Sequence, residues 1–343
     1  MRGHIKRLFL HICRALGLFM LARHRVRRKL LIFCYHGFQV CDESDFRPGL
    51  FITPERFQRR MSLIGKYNFS VLSLSEALEK MFSGKLPDNA ATITIDDGFA
   101  STHSLAYPVL QSHGYPATVY VTTYYVNKDA PIFRLAVQYL FWKSDIGKAD
   151  FREISWAPNQ DLDLGDELTT ERLMWQCIQY GEHECSEERR HELLAEMSEL
   201  LKVNLSEIWD SRMLSLMNPA EISDLAKNGI DIQLHTHRHH FPAEDEGTAR
   251  KEIEENIAVL GPITGHDLEH FCYPSGEWDI RQWDWLDSLK LQSATTCEPG
   301  YNDSDTHKFA LKRFLDKEDL SEIEFLSEIS GFSDILRRFR SFL

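Results

Sequence analysis

From about residue 30 onward, the chain alternates short apolar runs with amphipathic stretches of helical period. This alternation limits the fold more than any other feature. "LLIFCY", "ATITI", "ATVYVTT", "IDIQL", "EHFCY" and "LQSATT" are too short for helices and apolar throughout, so they read as buried strands. Between them lie helical patterns such as "TPERFQRRMSLIGKY", "HSLAYPVLQSHG", "ARKEIEENIAVLG" and "IRQWDWLDSLK". Strands separated by helices pair in parallel through right-handed crossovers. The expected fold is therefore α/β, an irregular or incomplete (β/α) barrel. Groups at the carboxyl ends of its strands converge on one face.

Local signals set the boundaries. Thr53 caps a helix that Pro54 opens and Gly65 ends, and Ser73 with Glu76 forms a capping-box pattern ahead of "ALEKMF". Gly114 closes "HSLAYPVLQSHG", in which Pro108 is placed to cause a kink. Asn218, Pro219 and Glu221 open "AEISDLAKNG", and Gly229 ends it. Between about residues 124 and 215 the alternation stops. That largely helical, partly acidic stretch, with "ERRHELLAEMSELL" as its clearest helix, reads as an insertion within a domain spanning 30–330. Residues 331–343 form a C-terminal helix or tail.

A net charge of -13 argues against nucleic acid as the main partner. The seven cysteines are scattered without a CxxC pair, which fits reduced cytosolic thiols rather than a disulfide framework. Charge is uneven: no acidic residue precedes Asp42, whereas Arg2, Lys6, Arg7, Arg14, Arg23, Arg25, Arg27, Arg28 and Lys29 all do. The apolar run Leu8 to Ala22 is too short to span a bilayer, and Arg14 interrupts it. Residues 1–29 therefore read either as a basic amphipathic helix on the inner face of the cytoplasmic membrane or as a helix packed on its own domain.

Two strand ends carry the chemistry. "TIDDGF" places the adjacent carboxylates Asp96 and Asp97 after a strand, an arrangement that a nearby cation or divided labour relieves. "QLHTHRHHF" places four histidines after another. If the strand continues, His235, His237 and His239 share a face; if the chain turns helical, His235 and His239 align. Spacing alone does not choose. Either way, two imidazoles and one carboxylate make a three-ligand site with open positions, which suits a catalytic divalent metal, zinc by default.

"TIDDG", then "HTHRH", then "FCYPSG", in that order and each at a strand end, resemble the motifs of the polysaccharide deacetylase family, carbohydrate esterase family 4. The resemblance covers roughly residues 30 to 315. Its opening "LIFCYHGF" resembles branches acting in bacterial cell-surface polysaccharide or lipopolysaccharide assembly. It implies a metal-dependent hydrolase that removes an N-acetyl group from a sugar. Asp96 is then the catalytic base, with Asp97, His235 and His239 as metal ligands. The backbone N–H of Ser275 is the oxyanion donor, and His36 and Tyr273 are candidates to contact substrate or act as acid. The implied partner is a carbohydrate and the implied location cytoplasmic, with peripheral membrane association through residues 1–29.

Two departures stand out. Many members carry an arginine, which orients the base, where this chain has Cys272. The late Leu-x-His that supplies an acid in many members reads Leu311-Lys312-Arg313 here. His36, His240 and His307 remain as candidate acids, and Asp96 serving both steps is the alternative. Asp284-Trp285 matches the text of a further family motif but sits in a helix, so Trp285 is expected in the core and Asp284 in solvent. Cys272 reads as a buried strand thiol, and His183 and Cys185 as surface. Phe133, Tyr139, Phe141 and Trp142 are either a helix core or the wall of a sugar cleft. The rival readings are an amidohydrolase-type site built on His235-Thr236-His237 and a non-catalytic glycan-binding protein.

Overall fold

The computed structural model describes residues 2–341 except 153, 155 and 159. Seven parallel strands follow one another around a curved sheet: β1 (Leu31–Tyr35), β2 (Ala90–Ile95), β3 (Thr118–Val121), β4 (Asp231–Leu234), β5 (His270–Cys272), β6 (Ser293–Thr295) and β7 (Phe314–Leu315). The spatial order is β6-β5-β4-β3-β2-β1-β7, and a further short strand, Ser70–Val71, pairs with β2. β7 lies beside β1, with Phe33 opposite Phe314, while Leu311, just before it, bridges to Thr295 of β6. One segment, 311–315, thus joins both edges of the sheet and turns it into an incomplete barrel. β1 and β2 are buried along their whole length, as continuous apolar runs in a parallel sheet require.

The barrel unit takes in Glu43–Asn127 together with the segments up to Gln39 and from Met217. Most of the expected helix signals act as read. Asn218 and Glu221 form a reciprocal capping box on Pro219–Lys227, and Gly114 ends its helix in the left-handed region. At Ser73 only half the box forms, the Glu76 N–H donating to Ser73 Oγ. Gly65 does not end its helix, which runs Pro54–Lys66. Pro108 is accommodated by a π-helical stretch, Thr102–Ala106, ahead of Tyr107–His113.

The insertion is a unit of its own, slightly shifted from the expected bounds: Lys128–Leu216, joined by Val40–Asp42. It contains the helices Phe133–Lys143, Glu167–Glu184, Glu187–Leu201 and Leu205–Ser211 and an antiparallel pair, Lys148–Asp150 with Asp161–Asp163. Its core explains the aromatics. Phe133, Tyr139 and Phe141 are buried, so they pack the unit rather than line a cleft, and only Trp142 is substantially exposed. A Cβ added at Gly181 would meet the Phe133 ring at 2.2 Å, so glycine lets these helices approach. His183 is exposed and Cys185 partly so.

At the amino terminus, α1 (Arg2–Ala15) and α2 (Leu18–Val26) meet at Gly17, which has φ 76°. They pack on the barrel unit through Leu10, Cys13, Phe19, Ala22 and Val26. No helix among the described residues is long and apolar enough to cross a membrane. A C-terminal helix, Phe332–Ser341, packs against α2.

Candidate metal centre and active site

β2 runs directly into Asp96 and Asp97, and the backbone turns there at once. Asp97 has φ 68° and Gly98 φ 82°. A Cβ at Gly98 would come within 2.9 Å of Val121, so the turn needs glycine for both space and conformation. The turn is tied down by Gly98 N–H donating to Asp96 O, and by Thr122 N–H donating to Asp97 O.

After β4 the chain becomes neither strand nor helix. Thr236 (φ 64°) and His239 (φ 56°) are left-handed, and this double turn brings His235 and His239 side by side, with ring centroids 4.9 Å apart. Their Nε2 atoms lie 3.3 and 3.5 Å from Asp97 Oδ1. One ligating atom from each of Asp97, His235 and His239 falls within 4.8 Å of the others. His237 leaves the cluster: its Nδ1 meets Thr123 Oγ1 at 2.9 Å, and its carbonyl accepts from Thr123 and Tyr124. The arrangement does not support the amidohydrolase-type pair His235 with His237. His240 is exposed, its N–H donating to Thr236 Oγ1.

His235 is set by its surroundings. Its N–H donates to Asn256 Oδ1, and its Nδ1 contacts Cys272 O at 2.8 Å. That contact makes Nδ1 a donor to the carbonyl and leaves Nε2 facing Asp97, the nitrogen that would take a metal in the proton's place. Burial works against a charged His235, but the Cys272 sulfur, the hydrogen-bonded Asp97 and Asp96 pull its pKa well above the ordinary value. The spot attracts positive charge. His239 is 39% exposed at the rim, yet desolvation within the cluster and the neighbouring His235 push it down to about 4, into the neutral form that ligates.

Asp96 is held by a residue that motif reading missed. Arg313, fully buried, makes two parallel bonds to it, Nη1 to Oδ1 at 2.6 Å and Nη2 to Oδ2 at 2.7 Å. The remaining guanidinium donors meet Thr296 O, Thr94 Oγ1 and Cys272 Sγ. Burial pushes the Asp96 pKa up, and Arg313 more than reverses this, with help from His36 and His235. Asp96 therefore stays ionised. Cys34 and Cys272 place their sulfurs 3.5 and 3.4 Å from Asp96 Oδ2. Cys272 thus lies beside Asp96, and an arginine reaches the same carboxylate from the segment before β7.

His36, just after β1, has Nε2 3.7 Å from Asp96 Oδ2. Ser275 lies in the turn Pro274–Gly276 directly after β5, with φ 57°. Tyr273 is turned away, its hydroxyl donating to Phe309 O and its ring packed by Phe241 and Phe271; it is a packing residue rather than an acid. His307 stacks on Trp283. Asp284 is exposed as expected, but Trp285 is only half-buried, against Phe241, and not in the core.

Comparison with known proteins gives a partial family match and a shared fold. The polysaccharide deacetylase family model matches residues 202–294, which contain the histidine and "FCYPSG" segments. No curated protein matches the chain. Among solved structures, the chain is similar to the Streptococcus pyogenes deacetylase PplD in complex with acetate. That likeness has a TM-score of 0.57 at 15% identity and covers 88% of this chain and 99% of that one. IcaB from Ammonifex degensii gives a TM-score of 0.54 at 15% identity, over 88% and 97% of the two chains. A de-N-acetylase from Aggregatibacter actinomycetemcomitans gives 0.54 at 12% identity, over 87% and 98%. The family model thus matches one segment of the chain, and the solved deacetylases share its fold.

Proposed function

We propose that this protein is a metal-dependent deacetylase that hydrolyses the N-acetyl group of an amino sugar in a bacterial surface glycan or its precursor. The observation that carries the reading is the convergence of Asp97, His235 and His239 beside a second carboxylate that is clamped in its ionised form.

The donor set fits a divalent metal. It offers two imidazole nitrogens and one carboxylate oxygen, with the His235 tautomer already fixed, and three protein ligands leave positions open for water and substrate. Zinc suits these donors. When bound there, such a cation polarises the acyl oxygen and lowers the pKa of a coordinated water.

The chain's own groups do the rest. Asp96, ionised and held in one orientation by the Arg313 fork, accepts the proton of the attacking water. His36, 3.7 Å away, takes the proton on and delivers it to the leaving amine. The Ser275 N–H, at the mouth of β5, donates to the developing oxyanion. The water oxygen ends in the acetyl group's carboxyl, one of its protons goes to the leaving nitrogen and the other is released as the acetic acid ionises to acetate, so no covalent enzyme intermediate is needed.

The test is acetate release from N-acetylated sugars presented in three forms: nucleotide sugar, lipid-linked sugar and polymer. One form is expected to release acetate, with activity removed by a chelator and restored by zinc. A metal-loaded protein that releases acetate from none of the three overturns the reading.

A further inference from the structure

α1 carries two apolar faces. One is buried on the barrel unit through Leu10 and Cys13, and Lys6 holds it there by an ion pair with Glu324 at 2.7 Å. The other face, Ile5, Leu8, Phe9, Ile12 and Leu16, follows the i, i+3, i+4, i+7 spacing of a helix stripe. These residues are 47–70% exposed, and Met20 and Leu21 of α2 extend the stripe at 73% and 63%. An exposed stripe of seven large apolar side chains is far more than the scattered single hydrophobes of an ordinary surface.

One turn further along α2 the same outer surface becomes basic. His24, Arg25 and Arg28 are exposed at positions three to eight residues beyond Met20 and Leu21. Between α2 and the helix Phe332–Ser341 lies a cavity of about 230 Å³. Arg25, Lys29 and Arg338 line it, with Val26 and Phe339 as apolar wall. Asp334, paired with Arg338, and Asp303, paired with Lys29, offset part of this charge. Across the molecule the polarity is clear: nine Lys and Arg and no acid precede Asp42, in a chain whose net charge is -13.

We propose that α1 and α2 form a docking surface for an anionic lipid bilayer. The stripe Ile5 to Leu21 enters the headgroup–acyl boundary, and Arg25 and Arg28 lie at the level of the lipid phosphates. The helix lies in the plane of the surface and does not cross it. Charge complementarity selects this occupant. An anionic surface attracts the basic end and repels the acidic remainder, which orients the protein. A second copy stacked stripe to stripe would bring two basic rims together. Docking of this face is independent of the reaction.

Flotation with vesicles tests it on the full chain. Phosphatidylglycerol and phosphatidylcholine in equal parts are compared with phosphatidylcholine alone. The protein is expected to bind the mixed vesicles at least about tenfold better. Leu8→Glu with Leu16→Glu is expected to abolish binding to both. Arg25→Glu with Arg28→Glu is expected to remove only the preference. All four side chains lie outside the site, so acetate release from a water-soluble substrate is expected to stay unchanged. Failure of the native protein to bind mixed vesicles overturns the proposal, and so does binding indifferent to Leu8→Glu with Leu16→Glu. A concentration-dependent dimer in sedimentation, lost in that variant, assigns the stripe to a second copy and equally overturns it.

Discussion

Two buried arginine–aspartate pairs flank the last barrel strand, and their carboxylates are driven in opposite directions. Arg313 grips Asp96 through both oxygens, at 2.6 and 2.7 Å. Arg60 reaches Asp316 through Nε alone, at 2.9 Å, and gives another nitrogen to Leu320 O. Both arginines and both carboxylates are almost wholly buried. Burial raises the pKa of each acid, so the cations decide the outcome. Asp96 has a bidentate guanidinium with His36 and His235 nearby, and its pKa falls far below the usual carboxylate range. Asp316 has one guanidinium contact and a hydrogen bond from Tyr35, and its pKa is pushed up to about 6. A buried ion pair is therefore not one kind of thing. A fork with imidazoles nearby makes a fixed negative charge, whereas a single contact makes a carboxyl that ionises reluctantly in the wall.

The largest effect is expected at Arg313. Arg313→Met leaves Asp96 as an uncompensated buried charge, which costs about 3–5 kcal/mol. Urea unfolding measures it, and a loss below about 1 kcal/mol would erase the difference between the pairs.

Next comes the pH dependence of Asp316. Its folded pKa, about 6, lies above the ordinary 3.8. The contribution is therefore fully present below about pH 4 and is lost as pH rises through 6. Between those limits the native protein is expected to lose up to about 3 kcal/mol relative to Asp316→Asn. If the native protein instead gains on the variant as pH rises, Asp316 is an ordinary ionised partner of Arg60.

The smallest effect is expected at Tyr35. Tyr35→Phe removes the hydrogen bond to Asp316 and costs about 1 kcal/mol. The same urea curves give the value, and no change at all would assign the Asp316 environment to Arg60 alone.

The contrast also shows what could be read from the chain. Strand–helix alternation fixes a sheet whose neighbours follow in chain order from β1 to β6, so the strand ends carrying Asp97, His235 and His239 had to converge. The choice among the histidines did not follow from spacing. It depends on left-handed turns at Thr236 and His239, two non-glycine residues that nothing in the sequence marks. Arg313 was overlooked for a different reason. Leu311-Lys312-Arg313 reads as a missing histidine, yet Leu311 and Arg313 are both fully buried, with Lys312 partly exposed between them. That alternation is a strand signal, and a buried arginine demands a carboxylate. Which carboxylate it meets depends on β7 returning beside β1, a long-range pairing that local pattern does not encode. The exposed stripe of α1 was legible as amphipathic. Packing on its own domain was the other reading of residues 1–29; that one helix does this through a second face while leaving the stripe exposed was not legible.

The central claim divides two neighbouring carboxylates by role: Asp97 holds the metal and Asp96 moves the proton. Zinc stoichiometry and acetate release, measured together on Asp96→Asn and Asp97→Ala, test it most directly. Asp96→Asn is expected to keep its zinc and lose at least about a thousandfold in acetate release, within the span for an essential proton-transfer group. Asp97→Ala is expected to lose the zinc itself. Zinc lost equally from both variants, or acetate release undiminished in Asp96→Asn, would contradict the account.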